Sequence, residues 1–143
     1  MHFTFTAINR ETFPVVVDLF DESRDDWVGS PDESWLANIV DSNSAQAVII
    51  YTETTPVGYL QYTFDGQEID HLAIFIAKEF RGQGFGPEIL QQFVVSKAGY
   101  SQFKAYIDET DFLSTSAFEK AGFTKTGPVN DEGVFAFIRK NED

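Results

Sequence analysis

The chain has 143 residues, 43% of them hydrophobic and 15% aromatic, enough to build one domain around its own core and too apolar for a disordered chain. It has no cysteine, which removes disulfides, thiolate metal sites and cysteine nucleophiles together. A net charge of -13 argues against nucleic-acid binding, which needs a basic footprint, and favours cationic partners.

In chain order, Phe3 to Ile8 alternates apolar residues with Thr, the period-two pattern of a strand. Asn9 or Thr12 can cap a helix through Pro14 to Phe20, with Pro14 confined to its first turn. An acidic segment, Asp21 to Trp27, is broken by Gly29-Ser30-Pro31. Ser30 or Asp32 can cap a second helix carrying Trp35, Leu36, Ile39 and Val40. Ala45 to Thr52 reads as a β-branched strand, turned by Thr54-Thr55-Pro56, and Val57 to Phe64 as the next. Asp65-Gly66 is a hairpin signal, and Glu68 to Ile76 returns as a strand.

That strand feeds Arg81-Gly82-Gln83-Gly84-Phe85-Gly86, and a helix is expected over Pro87 to Ala98, ended by Gly99. A strand at Phe103 to Ile107, a helix from Phe112 to Ala121 stopped by Gly122, and strands at Phe123 to Gly127 and Val134 to Ile138 complete the chain. The predicted order is β-αα-βββ-α-β-α-ββ in a single domain spanning residues 1–143. No signal peptide is evident at Met1 to Phe5, and no apolar run approaches the ~20 residues of a membrane span. A cytoplasmic protein without membrane contact, monomeric or homodimeric, is expected.

The glycine hexamer joins a strand to a helix start. There, N–H groups without internal partners and the helix dipole favour an anion. Glycines let backbone approach the ligand, and Arg81 adds a forked donor for phosphate oxygens. A nucleoside-triphosphate loop would need Lys-Ser/Thr after its last glycine, where this chain has Pro87-Glu88. A dinucleotide fingerprint would read G-x-G-x-x-G early in a βαβ unit. Taken alone, the hexamer is equally compatible with an ordinary glycine-rich turn.

The pattern resembles the coenzyme A loop of the GNAT superfamily of N-acetyltransferases, R/Q-x-x-G-x-G/A. The segment Ser114 to Phe123, with Phe118-Glu119-Lys120-Ala121-Gly122-Phe123, resembles the superfamily's second signature. Two spaced motifs in a matching element order extend the resemblance over nearly the whole chain. It implies an α/β (mixed α+β) GNAT fold: a mixed, mostly antiparallel sheet of about seven strands flanked by about four helices. Val57 to Tyr62 and the Glu-Lys-Ala-Gly-Phe ending resemble, more narrowly, the aminoglycoside 6′-N-acetyltransferase branch.

The resemblance implies acetyl transfer from acetyl-CoA to an amine, with no metal. It places the pyrophosphate over the N–H groups of Arg81, Gly82, Gln83, Gly84, Phe85 and Gly86. It places the pantetheine arm beside Phe75, Ile76 and Ala77, in a gap where this strand splays from the next, with the Ile76 N–H facing the thioester oxygen. An amine of pKa near 10 needs a base. By position Asp70 is the first candidate, with Glu68 and His71 beside it. Alternation puts Glu68 and Asp70 on one face and His71 on the other, unless the strand carries a bulge. Glu68 and Asp70 also fit the solvated start of a strand.

Many members have Tyr where this chain has Phe118, and the Tyr hydroxyl serves as the acid for the departing thiolate. Ser114, Tyr106, water or no acid at all can replace it, and a catalytically weak acyl-CoA-binding module is the alternative reading. Asp111 stands where the family often has an Asn contacting the pantetheine or the loop, and is also a natural helix N-cap. The acceptor side falls to the first two helices and nearby turns, where Asp25, Asp26, Trp27 and Tyr59 suit a small cationic amine such as a polyamine or aminoglycoside. A protein or peptide amine is a further alternative. Trp35 fits the core stripe of its helix, and the acids equally fit a solubilising surface.

Overall fold

A computed structural model describes residues 1–23 and 31–141. Seven strands and four α-helices follow the predicted order: β1 (Phe3–Ala7), α1 (Phe13–Ser23), α2 (Glu33–Val40), β2 (Ala45–Thr52), β3 (Thr55–Asp65), β4 (Glu68–Ile76), a single 3-10 turn (Lys78–Phe80), α3 (Phe85–Ser96), β5 (Gln102–Asp108), α4 (Phe112–Lys120), β6 (Thr124–Pro128) and β7 (Val134–Lys140). The sheet order is β1-β2-β3-β4-β5-β7-β6. It is mixed, since β4 pairs with β5 in parallel while β1/β2, β5/β7 and β6/β7 are antiparallel. Two compact units divide the chain, Met1–Tyr62 with Ile74–Gln83, and Thr63–Ala73 with Gly84–Asp143.

In the first unit β1 runs against β2, with Phe3 opposite Thr52 and Ala7 opposite Val48. Asn9 opens α1, its Oδ1 accepting the N–H groups of Glu11 (2.9 Å) and Thr12 (3.0 Å). Asp32 caps α2, accepting the Trp35 N–H at 2.9 Å. Both helices bury one stripe: Val16, Leu36, Ile49, Tyr59 and Phe75 share a core cluster, with Trp35 packed against it. Trp35 packs against that core as its place in the helical stripe predicts, and its indole N–H donates to Gln61 Oε1 at 2.8 Å. The turn before β3 is Glu53-Thr54, with Glu53 at φ 54, rather than Thr54-Thr55-Pro56. Pro56 sits instead near the start of a strand, where its missing N–H is tolerated.

In the second unit β5 lies between β4 and β7. Its parallel register with β4 is Glu68↔Gln102 and Ile69↔Phe103, and its antiparallel register with β7 runs from Gln102↔Lys140 to Asp108↔Val134. α3 buries Ile89, Leu90, Phe93 and Val94, and Phe93 meets Phe103 edge to face with centroids 6.3 Å apart. α3 starts at Phe85, two residues before the expected Pro87, and ends at Ser96. Gly99 does not terminate it. Lys97 is the C-cap, and the Asn141 amide donates to the carbonyls of Tyr100 (3.1 Å) and Lys97 (3.5 Å). A remote side chain thus supports the turn that follows the helix. Gly122, at φ 94, does follow α4 as predicted.

Candidate active site

β4 delivers the chain to the glycine loop. The Ala77 N–H donates to Val57 O at 2.8 Å, so this end of β4 is tied to β3. The fit there is tight enough that a Cβ on Gly58 would lie 2.0 Å from Phe75 O. Successive residues of a strand send their N–H and C=O groups to opposite edges. Phe75 and Ala77 therefore direct theirs toward β3, and Ile76 directs its own away from it. Phe75 lends its side chain to the core, 6% exposed and stacked on Tyr59 with centroids 5.0 Å apart.

After the 3-10 turn, Gly82 (φ 74) and Gly84 (φ 80) adopt left-handed backbone, and Gly84 is the N-cap of α3 with no side-chain cap. A Cβ at either glycine would meet nothing within 4 Å, so the space in front of both is open. The long side chains of the loop turn back on the preceding turn. Arg81 Nε donates to Ile76 O at 2.8 Å, with its guanidinium 5.4 Å from the Phe75 ring centroid, and Gln83 Nε2 donates to Glu79 O at 3.0 Å. Arg81 thus takes up the outward-facing carbonyl of Ile76 in addition to being a cation beside the loop. Phe85 and Gly86 are buried where the helix seats on its core.

The strand carrying the candidate bases is not regular. His71 has φ 50, and the buried residues of β4 fall at Ile69, Leu72 and Phe75, three apart instead of two. This bulge overturns the expected alternation. Asp70 and His71 both avoid the core, with His71 exposed and Asp70 half-buried. Asp70 Oδ1 accepts the His71 N–H at 2.8 Å, and its Oδ2 lies 3.8 Å from His71 Nδ1. The Tyr106 phenol, from β5, lies beside the Asp70 carboxylate. Burial first, then the neighbouring Asp70 carboxylate and the charge of Glu68, push the Tyr106 phenol above its ordinary pKa. The Tyr106 ring packs on the His71 imidazole with centroids 4.9 Å apart. Glu68 accepts from Gln102 Nε2 at 3.3 Å. Thr63, from β3, joins the group through contacts of 3.3 Å to both Asp70 O and His71 Nδ1. The sequence signal for this cluster is slight. His71 stands where alternation calls for an apolar residue, and nothing in the sequence marks Thr63.

The remaining predicted residues are dispersed. Asp111 caps α4, its Oδ1 accepting the Ser114 N–H at 3.1 Å. Phe118 is 3% exposed and packs edge to face on Phe123 with centroids 4.9 Å apart. Tyr59 is 5% exposed, its ring set against Trp35 and Phe75, and burial pushes its phenol pKa up to about 12. Asp25, Asp26 and Trp27 lie outside the described residues. A shallow concavity of about 470 Å³ on β6 and β7, lined by Thr124, Thr126, Arg139 and Lys140 among others, involves none of these residues. Among the described residues, no three His, Asp or Glu side chains gather as a metal would require, and no helix is long and apolar enough to cross a membrane.

A family model described as an acetyltransferase (GNAT) domain matches residues 20–139. The chain belongs to the GNAT acetyltransferase family. Its enzyme class is accordingly that of the GNAT N-acetyltransferases. The uncharacterized N-acetyltransferase YfmK of Bacillus subtilis (strain 168) is 25% identical to this GNAT chain over 112 residues, covering 76% of it and 75% of the relative. Among solved structures, the aminoglycoside acetyltransferase AAC(6′)-Ib in complex with paromomycin and acetyl-CoA superposes with a TM-score of 0.81 at 16% identity, over 98% of this chain and 94% of the other. A chimera of the spermidine N-acetyltransferase SpeG from Vibrio cholerae and hSSAT gives 0.78 at 16% identity, over 99% and 96%. RimL, a ribosomal L7/L12 alpha-N-protein acetyltransferase in complex with coenzyme A, gives 0.78 at 16%, over 96% and 93%. At such identities the likeness is one of fold, and the seven-stranded GNAT sheet with four helices is common ground.

Proposed function

We propose that this chain transfers an acetyl group from acetyl-CoA to a primary amine of a small cationic substrate, a polyamine, an aminoglycoside or a similar molecule, by direct attack of the amine on the thioester. The observation that carries this reading is the loop at the head of α3. Two left-handed glycines face open space, and the helix start behind them has no side-chain cap. The residues present fit a pyrophosphate: N–H groups at the positive end of the 12-residue α3, with Arg81, whose own N–H is spent on Lys78 O, contributing its side chain from the same loop. Acetyl-CoA supplies an acyl group activated as a thioester.

The chain's own contributions follow from its geometry. Ile76 directs its N–H away from β3, the orientation needed to serve a pantetheine arm or a developing oxyanion. Glu68, Asp70 and His71 offer the proton acceptor on β4. Asp25, Asp26 and Trp27 belong to the region assigned to the acceptor, from which the core burial of Tyr59 withdraws that residue, and the net charge of -13 suits a cationic one. AAC(6′)-Ib with paromomycin and the spermidine enzyme SpeG share the fold and act on such amines. RimL supports a protein α-amine as the second reading.

Thermal shift with acetyl-CoA tests the donor. Stabilisation should grow with ligand as RT ln(1 + [L]/Kd), and none at millimolar ligand would sink the assignment. Gly84→Val should weaken acetyl-CoA binding about tenfold or more by filling the open space before the helix, while costing only about 1–2 kcal/mol for the left-handed φ. A thiol-release assay over polyamines, aminoglycosides and peptides with free N-termini assigns the acceptor. Turnover of peptides alone would transfer the proposal to the second reading. Binding without any turnover would reduce the chain to an acyl-CoA-binding module, for which Phe118 in place of a Tyr acid is the motive.

A further inference from the structure

The bulge in β4 gathers Thr63, Asp70, His71 and Tyr106 from three strands, and their hydrogen-bond arithmetic separates the candidate bases. Asp70 is engaged within the group. Its Oδ1 accepts the His71 backbone N–H at 2.8 Å, and the Tyr106 phenol lies beside the carboxylate. His71 is turned outward, its side chain 64% exposed. Thr63 Oγ1 lies 3.3 Å from Asp70 O and 3.3 Å from His71 Nδ1. A carbonyl oxygen only accepts, and a hydroxyl has one hydrogen, so that hydrogen goes to Asp70 O. Both contacts can then be made only if Nδ1 is the donor and carries the imidazole proton. The Asp70 carboxylate, 3.8 Å from Nδ1, favours the same tautomer. Nε2 is left with its lone pair.

We propose that Nε2 of His71 is the proton acceptor in the acetyl transfer, and that Asp70, Thr63 and Tyr106 are positioning residues that hold the ring and its tautomer. This rests on the transferase reading above and selects one of its three candidate bases. The step balances. An ammonium acceptor sheds two protons on becoming an amide. Nε2 takes the first, which frees the nitrogen lone pair, and the C–N bond forms as the C–S bond breaks. Of the two protons, one ends on the departing sulfur and the other in solvent. A protonated His71 can return the proton to sulfur, a role that Phe118 cannot fill. The charged and titratable groups around the ring are Asp70 and Glu68 on β4, and Tyr106 with Lys104 on the same face of β5.

Two measurements decide it. The first is the pH dependence of kcat/KM for the wild type and variants. An imidazole titrates near ~6.5 and a carboxylate near ~4 when unperturbed, so the acid limb identifies the group. His71→Gln should abolish the limb and lose about 100-fold or more in rate. Asp70→Asn should keep a limb. His71→Gly, which a φ of 50 accommodates, should recover activity with added free imidazole. A limb that persists in His71→Gln at a rate within about two-fold of wild type overturns the proposal. So does a limb lost in Asp70→Asn and kept in His71→Gln.

The second measurement is the imidazole ¹⁵N spectrum, simple in a chain with 2 His. It should show the Nδ1–H tautomer for His71 in the wild type and its loss in Thr63→Val. An Nε2–H ring in the wild type rejects the assignment without reference to turnover. Failure of acetyl-CoA to bind, with the expected tautomer present, would instead fault the transferase reading.

Discussion

Tyr59 and Gly58 show how tightly neighbouring residues of β3 are specified. Tyr59 sits among Trp35, Phe75 and the helices of the first unit, and burial raises its phenol pKa to about 12 from 10.0. The charged form is the one disfavoured, and the folded pKa lies above the unfolded one. The associated stability is therefore fully present below pH 10 and is lost as pH rises through the interval from 10 to about 12. A tenfold change in proton affinity corresponds to roughly 1.4 kcal/mol, so the loss across that interval should be about 2–3 kcal/mol. Tyr59→Phe should remove that part of the alkaline decline, which urea unfolding at pH 8 and pH 11 would measure as the difference between the two proteins. Gly58 is constrained by space and not by φ, because an added Cβ would collide with main chain at Phe75 O. Gly58→Ala should cost about 3 kcal/mol, the upper part of the overpacking range, since neither strand can yield by a rotamer change. An unfolding midpoint near that of the wild type would show that β4 can move away at little cost.

At the scale of elements, patterns that need only one strand or helix were readable and those that need two were not. The bounds of β2 and β4 follow from apolar runs bracketed by turns, and the caps Asn9, Asp32 and Asp111 follow from residue type and spacing. The end of α3 did not, because the helix stops at the C-cap Lys97 ahead of Gly99, in a turn where Asn141, some forty residues away, donates to the carbonyls of Lys97 and Tyr100. The bulge at Asp70-His71 did not either. A bulge is fixed by pairing with both neighbouring strands, and its trace in one strand is a single polar residue at a position that alternation assigns to the core. The glycine loop was legible as backbone, whereas the inward fold of Arg81 onto Ile76 O depends on the 3-10 turn that brings them together. Asp111 gives a test at this scale. If it acts as the cap of α4, Asp111→Ala should cost about 1 kcal/mol, and Asp111→Asn, which keeps a side-chain oxygen, only a few tenths. Equal losses in both variants, or a changed acetyl-CoA KM with unchanged stability, would give Asp111 to the ligand instead.

For the whole molecule the dominant quantity is charge, 23 Asp and Glu against 10 Lys and Arg. A field of that sign acts oppositely on the two substrates proposed for it. It draws a cationic amine toward the protein and repels an anionic acetyl-CoA, which must then be held by local groups: the N–H groups at the head of α3 and Arg81. Local contacts a few Å long survive salt, but the long-range field does not, since screening sets in beyond about 8 Å at physiological ionic strength. Raising salt from about 10 mM to 150 mM should therefore lower kcat/KM for a polyamine and raise kcat/KM for acetyl-CoA, each about several-fold. A neutral primary amine in place of the polyamine should show little change on the acceptor side. Steady-state kinetics with each substrate varied at saturation of the other would read both slopes from one series. If the two slopes share a sign, the acidic surface acts on folding or association and not on substrate capture. If only the acetyl-CoA slope is present, the acceptor is not a cation, and the choice among amines would move toward neutral ones.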